Sequence, residues 1–449
     1  MVKIENTIIR KEPIFYNINT GAISKRINDV IDWTNVDLDY EGLYLYLRAG
    51  YCNFNRTPVS GVKLLEANQS LERGADGQLI VIEHKEDLFW NETEISGKDA
   101  LESLLVLIKN KIVRNVHKHY VLPLSGGIDS RILGYVLRNE KVHAFTYSLS
   151  ERIKNSFEVI NAASTAQLLN MPHSVIPLND FNIHLNKIVN EIGCEAHAHG
   201  MYHESFYSQI RQAYSGDIVV TGYLGDVFAG SKSYTRVNCP SEISKIFLSY
   251  GTDIPENLLD PEITKRSPLE EIYESIPERY WKDPKFCTLK TCQVKSTLLS
   301  YLYRTPKSLG FDTIAPFMDT DIIRLMLSVN NGDWKNREWQ YRGLERLGLK
   351  LDEKIGSHYN TMDYDNARKF DFAPLRPHLF ESIVKPELVS FVNNNIGGSS
   401  LDDLKVIGGK YRITRSAMYR LGIKNRSLQA YYFYLILKPL ERILEASKC

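Results

Sequence analysis

The chain has 449 residues, of which 43% are hydrophobic and 24% are charged. This is the composition of an ordinary globular protein, and the length allows two or three domains. The formal net charge of +1 lacks the strong basic excess that is typical of nucleic-acid-binding proteins. Nucleic acid is therefore not an expected partner.

The cysteines and the N-terminal segment indicate a cellular location. Six cysteines are scattered along the chain without a C-x-x-C pair, a pattern typical of reduced cytosolic thiols rather than of a zinc site. The first ten residues lack the apolar run of a signal peptide, and no later run is long enough to cross a bilayer. We expect a cytoplasmic protein without a membrane partner.

The first ninety or so residues predict short strands, turns and one helix. Residues 8–16 and 79–82 have strand character, and turn signals occur at 19–21 and 74–77. Residues 40–47 predict a short helix between them.

A polar stretch, 91–98, then leads into a new pattern. We expect a domain boundary there, with a small β-rich N-terminal domain at 1–97 and a second domain at 98–449.

The second domain begins with alternating helices and strands. Apolar residues at helical spacing predict a helix at 99–118, and the apolar run 120–124 predicts a buried strand. The alternation continues with helices at 132–137, 156–169 and 201–213 and strands at 144–147, 174–176 and 218–221. Such alternation predicts an α/β fold with a parallel sheet flanked by helices. Beyond about residue 241 the chain is predicted to be mainly helical.

A glycine-rich turn stands where the first of these strands ends. Ser125, Gly126 and Gly127 occupy it, and two glycines let the backbone approach a ligand closely at the start of a helix, which favours an anion. Asp129 would repel a bare phosphate, so its presence suggests a bridging Mg²⁺. The turn is neither a Walker loop nor a G-x-G-x-x-G dinucleotide motif. An incidental tight turn is the alternative explanation.

The turn resembles the pyrophosphate loop of the N-type ATP pyrophosphatases, which adenylate a substrate and then let a nucleophile displace AMP. The matching run is Leu124-Ser125-Gly126-Gly127-Ile128-Asp129-Ser130. Two later segments are similar to motifs of one branch, the asparagine synthetases. Residues 219–230 resemble a strand followed by S-G-E-G-x-D-E-x-x-G, and residues 315–319 resemble P-F-L-D. Residues 43–65 resemble the end of that family's glutaminase domain.

The sequence also departs from that family at the positions that supply nitrogen. Val2 stands where glutamine-hydrolysing members have a catalytic cysteine, so we expect no glutamine hydrolysis. Tyr223 replaces the glutamate of the second motif, and a phenol with a pKa near ~10 is a poor general base. Val227 replaces the acid after the aspartate, and Asp312 and Ile314 occupy the family's E-x-R positions. In these departures the sequence resembles two kinds of relative, the β-lactam synthetases and the lasso-peptide cyclases.

The resemblance implies an ATP-dependent, amide-forming ligase acting on a small-molecule or peptide carboxylate and an amine or ammonia, with ATP and Mg²⁺ as cofactors. Asp129 and Asp226 are the implied metal ligands and, together with Lys354, the implied catalytic residues. Lys335 is the second candidate for the lysine, and a solvated lysine is the alternative for either. The implied ATP-binding residues are Leu124, Ser125, Gly126, Gly127, Asp129, Ser130, Tyr147, Gly222 and Tyr223.

Two alternatives to the ligase remain open at this point. One is another adenylating enzyme, such as a tRNA-modifying one, and the other is a non-catalytic ATP-binding protein. His197 and His199 suggest bases or metal ligands, but no partner ligands are spaced around them. A polar loop before a helix is the favoured interpretation of that pair.

Overall fold

The computed structural model describes residues 3–84, 88–113, 118–148, 156–178, 181–248, 253–351, 372–397 and 426–448. The strands are β1 Lys3–Glu5, β2 Phe15–Asn17, β3 Ile23–Ser24, β4 Val62–Leu64, β5 Gln69–Arg73, β6 Leu79–Glu83, β7 Tyr120–Pro123, β8 Val142–Tyr147, β9 His173–Ile176, β10 Ile218–Val220 and β11 Asp312–Ile314. The helices as far as β11 are α1 Tyr40–Ala49, α2 Gly97–Ile112, α3 Ile128–Leu137, α4 Phe157–Leu168, α5 Leu185–Ile192, α6 Tyr202–Ala213, α7 Ser244–Phe247, α8 Pro261–Thr264, α9 Leu269–Glu274, α10 Glu278–Trp281, α11 Pro284–Lys295 and α12 Tyr301–Ser308. After β11 come α13 Thr320–Leu327, α14 Asn331–Trp334, α15 Glu338–Arg346, α16 Pro386–Asn395, α17 Arg426–Leu437 and α18 Glu441–Ala446.

A five-stranded parallel sheet forms the centre of the molecule, in the order β11-β10-β7-β8-β9. Its strands are short and apolar; all three residues of β10 and the first three of β7 are buried. This is expected of a parallel sheet that is covered by helices on both faces. Each strand from β7 to β9 is followed or preceded by an amphipathic or buried helix, as the alternating pattern predicts. The α/β fold class is confirmed.

The N-terminal residues form two small antiparallel sheets, ordered β1-β5-β6 and β3-β2-β4. The predicted strand at 79–82 and helix at 40–47 are confirmed as β6 and α1. Of the predicted strand 8–16, only residues 15 and 16 lie in a strand, β2. The domain boundary at 97/98 stays a prediction.

After residue 241, the described part of the chain includes a strand, β11, that the sequence did not predict. β11 pairs in parallel with β10, and it completes the sheet at its edge. It is only three residues long, and only its middle residue, Thr313, is buried. Apolar patterning is therefore too weak to reveal it.

One buried arginine joins the N-terminal residues to the end of α11. Arg10 is 2% exposed and donates from Nη2 to the Gln293 carbonyl at 2.8 Å and from Nε to Ser296 Oγ at 3.2 Å. Its Nη1 donates to the carbonyl of Leu65 at 3.0 Å. Every one of these donors lies in the interior, where an unmade hydrogen bond is costly. The main hydrophobic core likewise contains residues from before and after position 97.

None of the helices in the described ranges combines the length and apolar character that a bilayer span requires.

Candidate nucleotide site

The strand order places a crevice between β7 and β10. The chain runs from β7 outward through β8 to β9, and then returns to the other side of β7 as β10. The loops after β7 and β10 therefore leave the sheet in opposite directions. Such a switch point is where open α/β sheets bind ligands, beyond the carboxyl ends of the strands. The first two sequence motifs follow these two strands.

The first loop is held closed by two serine hydroxyls. Ser130 Oγ accepts from the N–H of Ser125 at 3.2 Å and lies 3.0 Å from the carbonyls of Ser125 and Gly127. Ser125 Oγ accepts from the N–H of Gly127 at 3.2 Å. Gly127 is the N-cap of α3 and provides no side-chain cap, so the first N–H groups of α3 are left to a ligand.

The two glycines of this loop have different roles. A Cβ on Gly126 would lie 2.8 Å from the Phe157 ring and 3.0 Å from Asn161 Cβ, so Gly126 allows the loop to pack against α4. A Cβ on Gly127 would meet only Ser125 Oγ, at 3.2 Å, and Gly127 is exposed toward the cavity. Close packing therefore requires the first glycine, and access for a ligand requires the second.

The loop after β10 packs directly against Asp129. A Cβ on Gly225 would lie 2.8 Å from Asp129 Cγ, and one on Gly222 would lie 3.2 Å from Asp129 Cβ. Leu224, between them, has a left-handed φ of 63°. Two glycines and a tight backbone thus let the second motif approach the first.

The surroundings of Tyr223 do not suit an acid–base catalyst. It is 4% exposed, and its hydroxyl donates to the carbonyl of Ser296 at 3.3 Å. Burial raises the pKa of Tyr223 well above its ordinary value. A buried phenol with a raised pKa stays protonated, and its hydrogen is already engaged in a hydrogen bond. This agrees with the expectation that Tyr223 is a poor base.

The two aspartates influence each other electrostatically. Asp129 is half-buried, and burial raises its pKa to about 7, with Arg337 opposing the rise and Asp226 adding to it. Asp226 accepts a 3.4 Å hydrogen bond from Ser231 Oγ. Two neighbouring carboxylates in a half-buried site repel, and a cation between them would relieve the repulsion.

Among the described residues, no group of three or more His, Cys, Asp or Glu side chains is arranged to hold a metal. Mg²⁺ does not need one, because it often binds one or two carboxylates and takes its other ligands from phosphates and water. Asp129 and Asp226 both line the same cavity. They therefore fit a Mg²⁺ ion that arrives with a nucleotide.

These loops surround a cavity of about 540 Å³. One part of its wall is apolar and aromatic and includes Phe145, Tyr147, Phe206, Tyr207 and Leu302. The remaining wall is polar or charged. Its polar and charged residues are Ser125, Asp129, Ser130, Thr146, Glu158, His203, Thr221, Asp226, Lys232, Thr291 and Lys295. A pocket with an apolar side and a few convergent polar groups is typical of a small-molecule site.

The cavity brings together most of the predicted ATP-binding residues. Leu124, Ser125, Gly127, Asp129, Ser130, Tyr147, Gly222 and Tyr223 line it, together with Asp226. Gly126 faces α4 instead. Lys354 lies outside the described residues, and Lys335 is exposed at a turn.

The third motif, residues 315–319, packs against the loop that follows β10. Phe317 is fully buried, and its ring lies 2.9 Å from the position that a Cβ on Gly225 would take. Asp319 caps α13 by accepting from the N–H of Asp321 and pairs with Lys111 at 2.8 Å. The aspartate of this motif is thus structural.

His197 and His199 lie in the predicted loop before α6, but that loop is not a solvated one. His197 is 4% exposed, and its N–H donates to the carbonyl of Gly50. His197 Nδ1 accepts from the N–H of His199 at 3.1 Å. The pair therefore helps to pack the N-terminal residues against the α/β region.

Several residues of the site could not be predicted from the sequence. Lys232, Lys295 and His203 line the cavity, and Arg337 donates to Asp129 Oδ1 at 2.6 Å. No local pattern marks them, since each stands at least 73 positions from the first loop, 125–130, beyond any turn or helix period. One residue of the sequence, Gly230, is connected with the position of Arg337, because it lets the segment of Trp334, which precedes Arg337, approach. Gly230, the last glycine of the second motif, has φ 107° and would clash with the carbonyl of Trp334 if it bore a side chain.

Comparison with known proteins gives only distant structural likenesses. No protein-family model matches the chain, and no curated protein matches it. Among solved structures, 41 chains match. One is the NH3-dependent NAD synthetase from Campylobacter jejuni, in complex with a nitrate ion, at 18% identity and a TM-score of 0.23. The match covers 29% of this chain and 61% of that one, so the chain spans about three fifths of the synthetase.

Two further structures are similar over a larger share of the chain. The U34-tRNA thiolase NcsA from Methanococcus maripaludis, with its [4Fe-4S] cluster, is 14% identical with a TM-score of 0.23, covering 57% of this chain and 81% of its own. The NMN synthetase from Francisella tularensis is 13% identical with a TM-score of 0.22, covering 59% of this chain and all of its own. All three neighbours are enzymes. At such scores they do not establish what this chain binds.

Proposed function

We propose that this protein is an ATP-dependent ligase that adenylates a carboxylate and transfers the acyl group to an amine or ammonia. The observation that carries the proposal is the convergence of two loops, 125–130 and 221–226, on one cavity at the switch point of the parallel sheet. Both loops bear the motifs that resemble asparagine synthetase-like enzymes. A switch-point crevice is the usual nucleotide position in such sheets.

The phosphates are proposed to lie at the start of α3. The N–H groups of its first turn have no acceptor within the helix, and the helix dipole favours an anion there. Ser125 and Gly127 lie on the cavity surface beside them. Asp129 and Asp226 would hold the Mg²⁺ that accompanies the phosphates, and the metal would offset their charge.

The adenine is proposed to lie against the end of β8. Leu124, Phe145 and Tyr147 provide an apolar and aromatic surface on the cavity wall, which suits a flat base. Thr146 Oγ1 donates to the carbonyl of Leu124 at 2.5 Å, and this bond fixes the ends of β7 and β8 relative to each other. The wall is thus preorganised for a planar ligand.

The chemistry requires two displacements. A carboxylate oxygen attacks the α-phosphorus, the bond to the bridging oxygen breaks, and that oxygen keeps the electron pair as pyrophosphate leaves. An amine nitrogen then attacks the acyl carbon, AMP leaves with the electron pair, and the nitrogen loses a proton. Tyr223 is not assigned as the base that takes this proton, since its buried hydroxyl stays protonated and donates a hydrogen bond to the carbonyl of Ser296. An amine within the substrate, or free ammonia, is the proposed nucleophile.

Product analysis tests the proposal. The purified protein is incubated with Mg²⁺, ATP and pooled small carboxylates and peptides, and the nucleotides are separated by chromatography. We expect AMP and pyrophosphate in equal amounts. Formation of ADP and phosphate would contradict adenylation. ATP binding without turnover on any pool would favour a non-catalytic ATP-binding protein.

A matched pair of aspartate variants locates the activity. Asp129→Asn should lower AMP formation by about a hundredfold, as the loss of one electrostatic group in a preorganised site does. Asp319→Asn is the control, because Asp319 also follows a sheet strand in one of the motifs but caps α13. Equal loss in both variants would argue against a specific role of Asp129.

A further inference from the structure

Two lysines line the nucleotide cavity from segments outside the glycine-rich loop. Lys295 is the last residue of α11, and its Nζ donates to the carbonyl of Leu248 at 2.6 Å. Lys232 follows the short π-helical turn Val227–Ser231, which itself follows Asp226. Both lysines are half-buried, and both contribute to the cavity wall. The fold thus brings two cations to the same chamber as the two carboxylates.

The charge of Lys232 acts on Lys295 within the cavity that both residues line. Burial, which is the largest cause, and the charge of Lys232 together lower the pKa of Lys295 to about 8, and the neighbouring Cys292 opposes the shift. Holding two like charges in a half-buried cavity costs free energy. Two cations on the wall of one cavity favour an anion with several charges over a neutral ligand.

The glycine-rich loop, residues 125–130, contains no lysine or arginine. A Walker loop carries a lysine that reaches the β- and γ-phosphates, but residues 125–130 contain only serines, glycines, Ile128 and Asp129. The loop therefore offers neutral N–H and O–H donors and one negative charge. A triphosphate bound there needs positive charge from another part of the chain.

We propose that Lys232 and Lys295 bind the β- and γ-phosphates of ATP and hold the pyrophosphate as it leaves. This inference rests on the proposed function. When the bond between the α-phosphorus and the bridging oxygen breaks, the electron pair stays on pyrophosphate, and the two ammonium groups offset the charge that develops there. No proton is transferred in this step. The lysines are thus catalytic residues contributed by α11 and by the segment after Asp226.

Titration calorimetry tests the proposal with known probes. Pyrophosphate, ATP and AMP are titrated, with Mg²⁺ present, into the wild type, Lys232→Met and Lys295→Met. Each substitution should weaken pyrophosphate and ATP binding about tenfold or more, because each removes a charged donor, and should leave AMP binding unchanged. Lys290→Met is the control, since Lys290 lies on the same helix but does not line the cavity.

The possible outcomes separate this inference from the proposed function. If the wild type binds ATP and both lysine variants bind pyrophosphate as tightly as it does, the lysine assignment is wrong and the function stands. If AMP binding falls as much as pyrophosphate binding, the assignment is also wrong. A wild type that binds no ATP overturns the function itself.

Two further measurements check that the lysine variants are folded. Lys295→Met loses a bond to Leu248, so thermal unfolding is compared with the wild type, and Lys295→Arg should keep pyrophosphate binding. Lys232→Met carries the test alone if Lys295→Met does not fold. An undiminished pyrophosphate affinity in folded Lys232→Met would then overturn the proposal.

Discussion

The guanidinium of Arg337 donates from Nη2 to Oδ1 of Asp129 at 2.6 Å, joining residues that are 208 positions apart in the chain. Arg337 and its neighbour Asn336 both have left-handed backbones, with φ of 64° and 55°. Each such non-glycine residue costs roughly 1 kcal/mol or more. The surrounding packing holds both of them in this conformation. Their strained turn directs Arg337 at the predicted metal ligand.

Removing this arginine should make Asp129 harder to ionise. Burial already raises the pKa of Asp129 to about 7, and Arg337 is the strongest influence opposing that rise. In Arg337→Gln the pKa should lie higher still. Because Mg²⁺ binds the ionised carboxylate, the affinity for Mg²⁺ and ATP should fall at pH 7 and recover as the pH rises. Calorimetry between pH 6 and 9 measures this shift. Arg342→Gln, which removes an exposed pair with Asp333, should show the wild-type profile.

A methyl group at position 225 should disturb the same carboxylate. The Cβ of Gly225→Ala would lie 2.8 Å from Asp129 Cγ and 2.9 Å from the Phe317 ring. Overpacking of this kind costs about 1–3 kcal/mol and should displace Asp129. We expect a lower melting temperature and weaker binding of Mg²⁺ and ATP. Gly332→Ala is the control, since its nearest neighbour would be 3.4 Å away. Equal behaviour of the two variants would contradict the contact.

The stability of the fold should decline in acid because of one buried imidazole. His203 is 5% exposed, and its Nδ1 has no hydrogen-bond partner among the described residues. Burial, together with a smaller effect of His199, lowers the pKa of His203 to about 3. The unfolded chain binds the proton near pH 6.5, so the stability from this group is complete above 6.5 and is lost as the pH falls toward 3. The loss approaches about 1.4 kcal/mol per pH unit.

Denaturant unfolding between pH 4 and 7 measures this dependence. His203→Phe, in a site ringed by Tyr147, Tyr202 and Tyr301, should flatten the slope. His378→Phe, at an exposed position, should keep it. A wild-type slope in His203→Phe would show that other groups control the acid response.

Loss of a buried ion pair near the N-terminal contact should destabilise the fold. Glu195 is 1% exposed and pairs with Arg304, and burial raises the pKa of Glu195 despite that partner. Arg304→Met would leave the carboxyl buried alone and should cost about 3 kcal/mol at neutral pH. Since the folded pKa then lies further above the unfolded value, the deficit should grow as the pH rises from 5 to 8.

Urea unfolding checks this prediction. Adding Glu195→Gln to Arg304→Met removes the ionisable group and should recover part of the lost stability, with less dependence on pH. If the double variant is no more stable than Arg304→Met at pH 8, the cost has another origin.

The elements around the site could be predicted because their signals are local. β7, α3, β8, α4 and β10 agree with the sequence prediction to within a few residues, since apolar periodicity and glycine turns act over short distances. The two loops could be found for the same reason. Their convergence follows from the topology of parallel sheets rather than from any one residue.

The rest depends on contacts that are remote in sequence. β11 is a strand because it pairs with β10, and no pattern in its three residues shows this. Lys295 reaches the cavity because α11 ends there, and Arg337 reaches Asp129 because Gly230 lets the Trp334 segment approach. Solvated lysines and arginines look the same in a sequence as those that enter a site.

Ser296 has a consequence for dissecting the protein. Its side chain accepts from Arg10, and its carbonyl accepts from Tyr223, which lies between Gly222 and Asp226 in the second loop. One residue therefore links the tenth position of the chain to the wall of the cavity. A shortened version that begins after residue 97 would lose this brace, and kinetic defects measured on it would not report on the cavity alone. The N-terminal segment is thereby coupled structurally to the wall of the candidate nucleotide cavity.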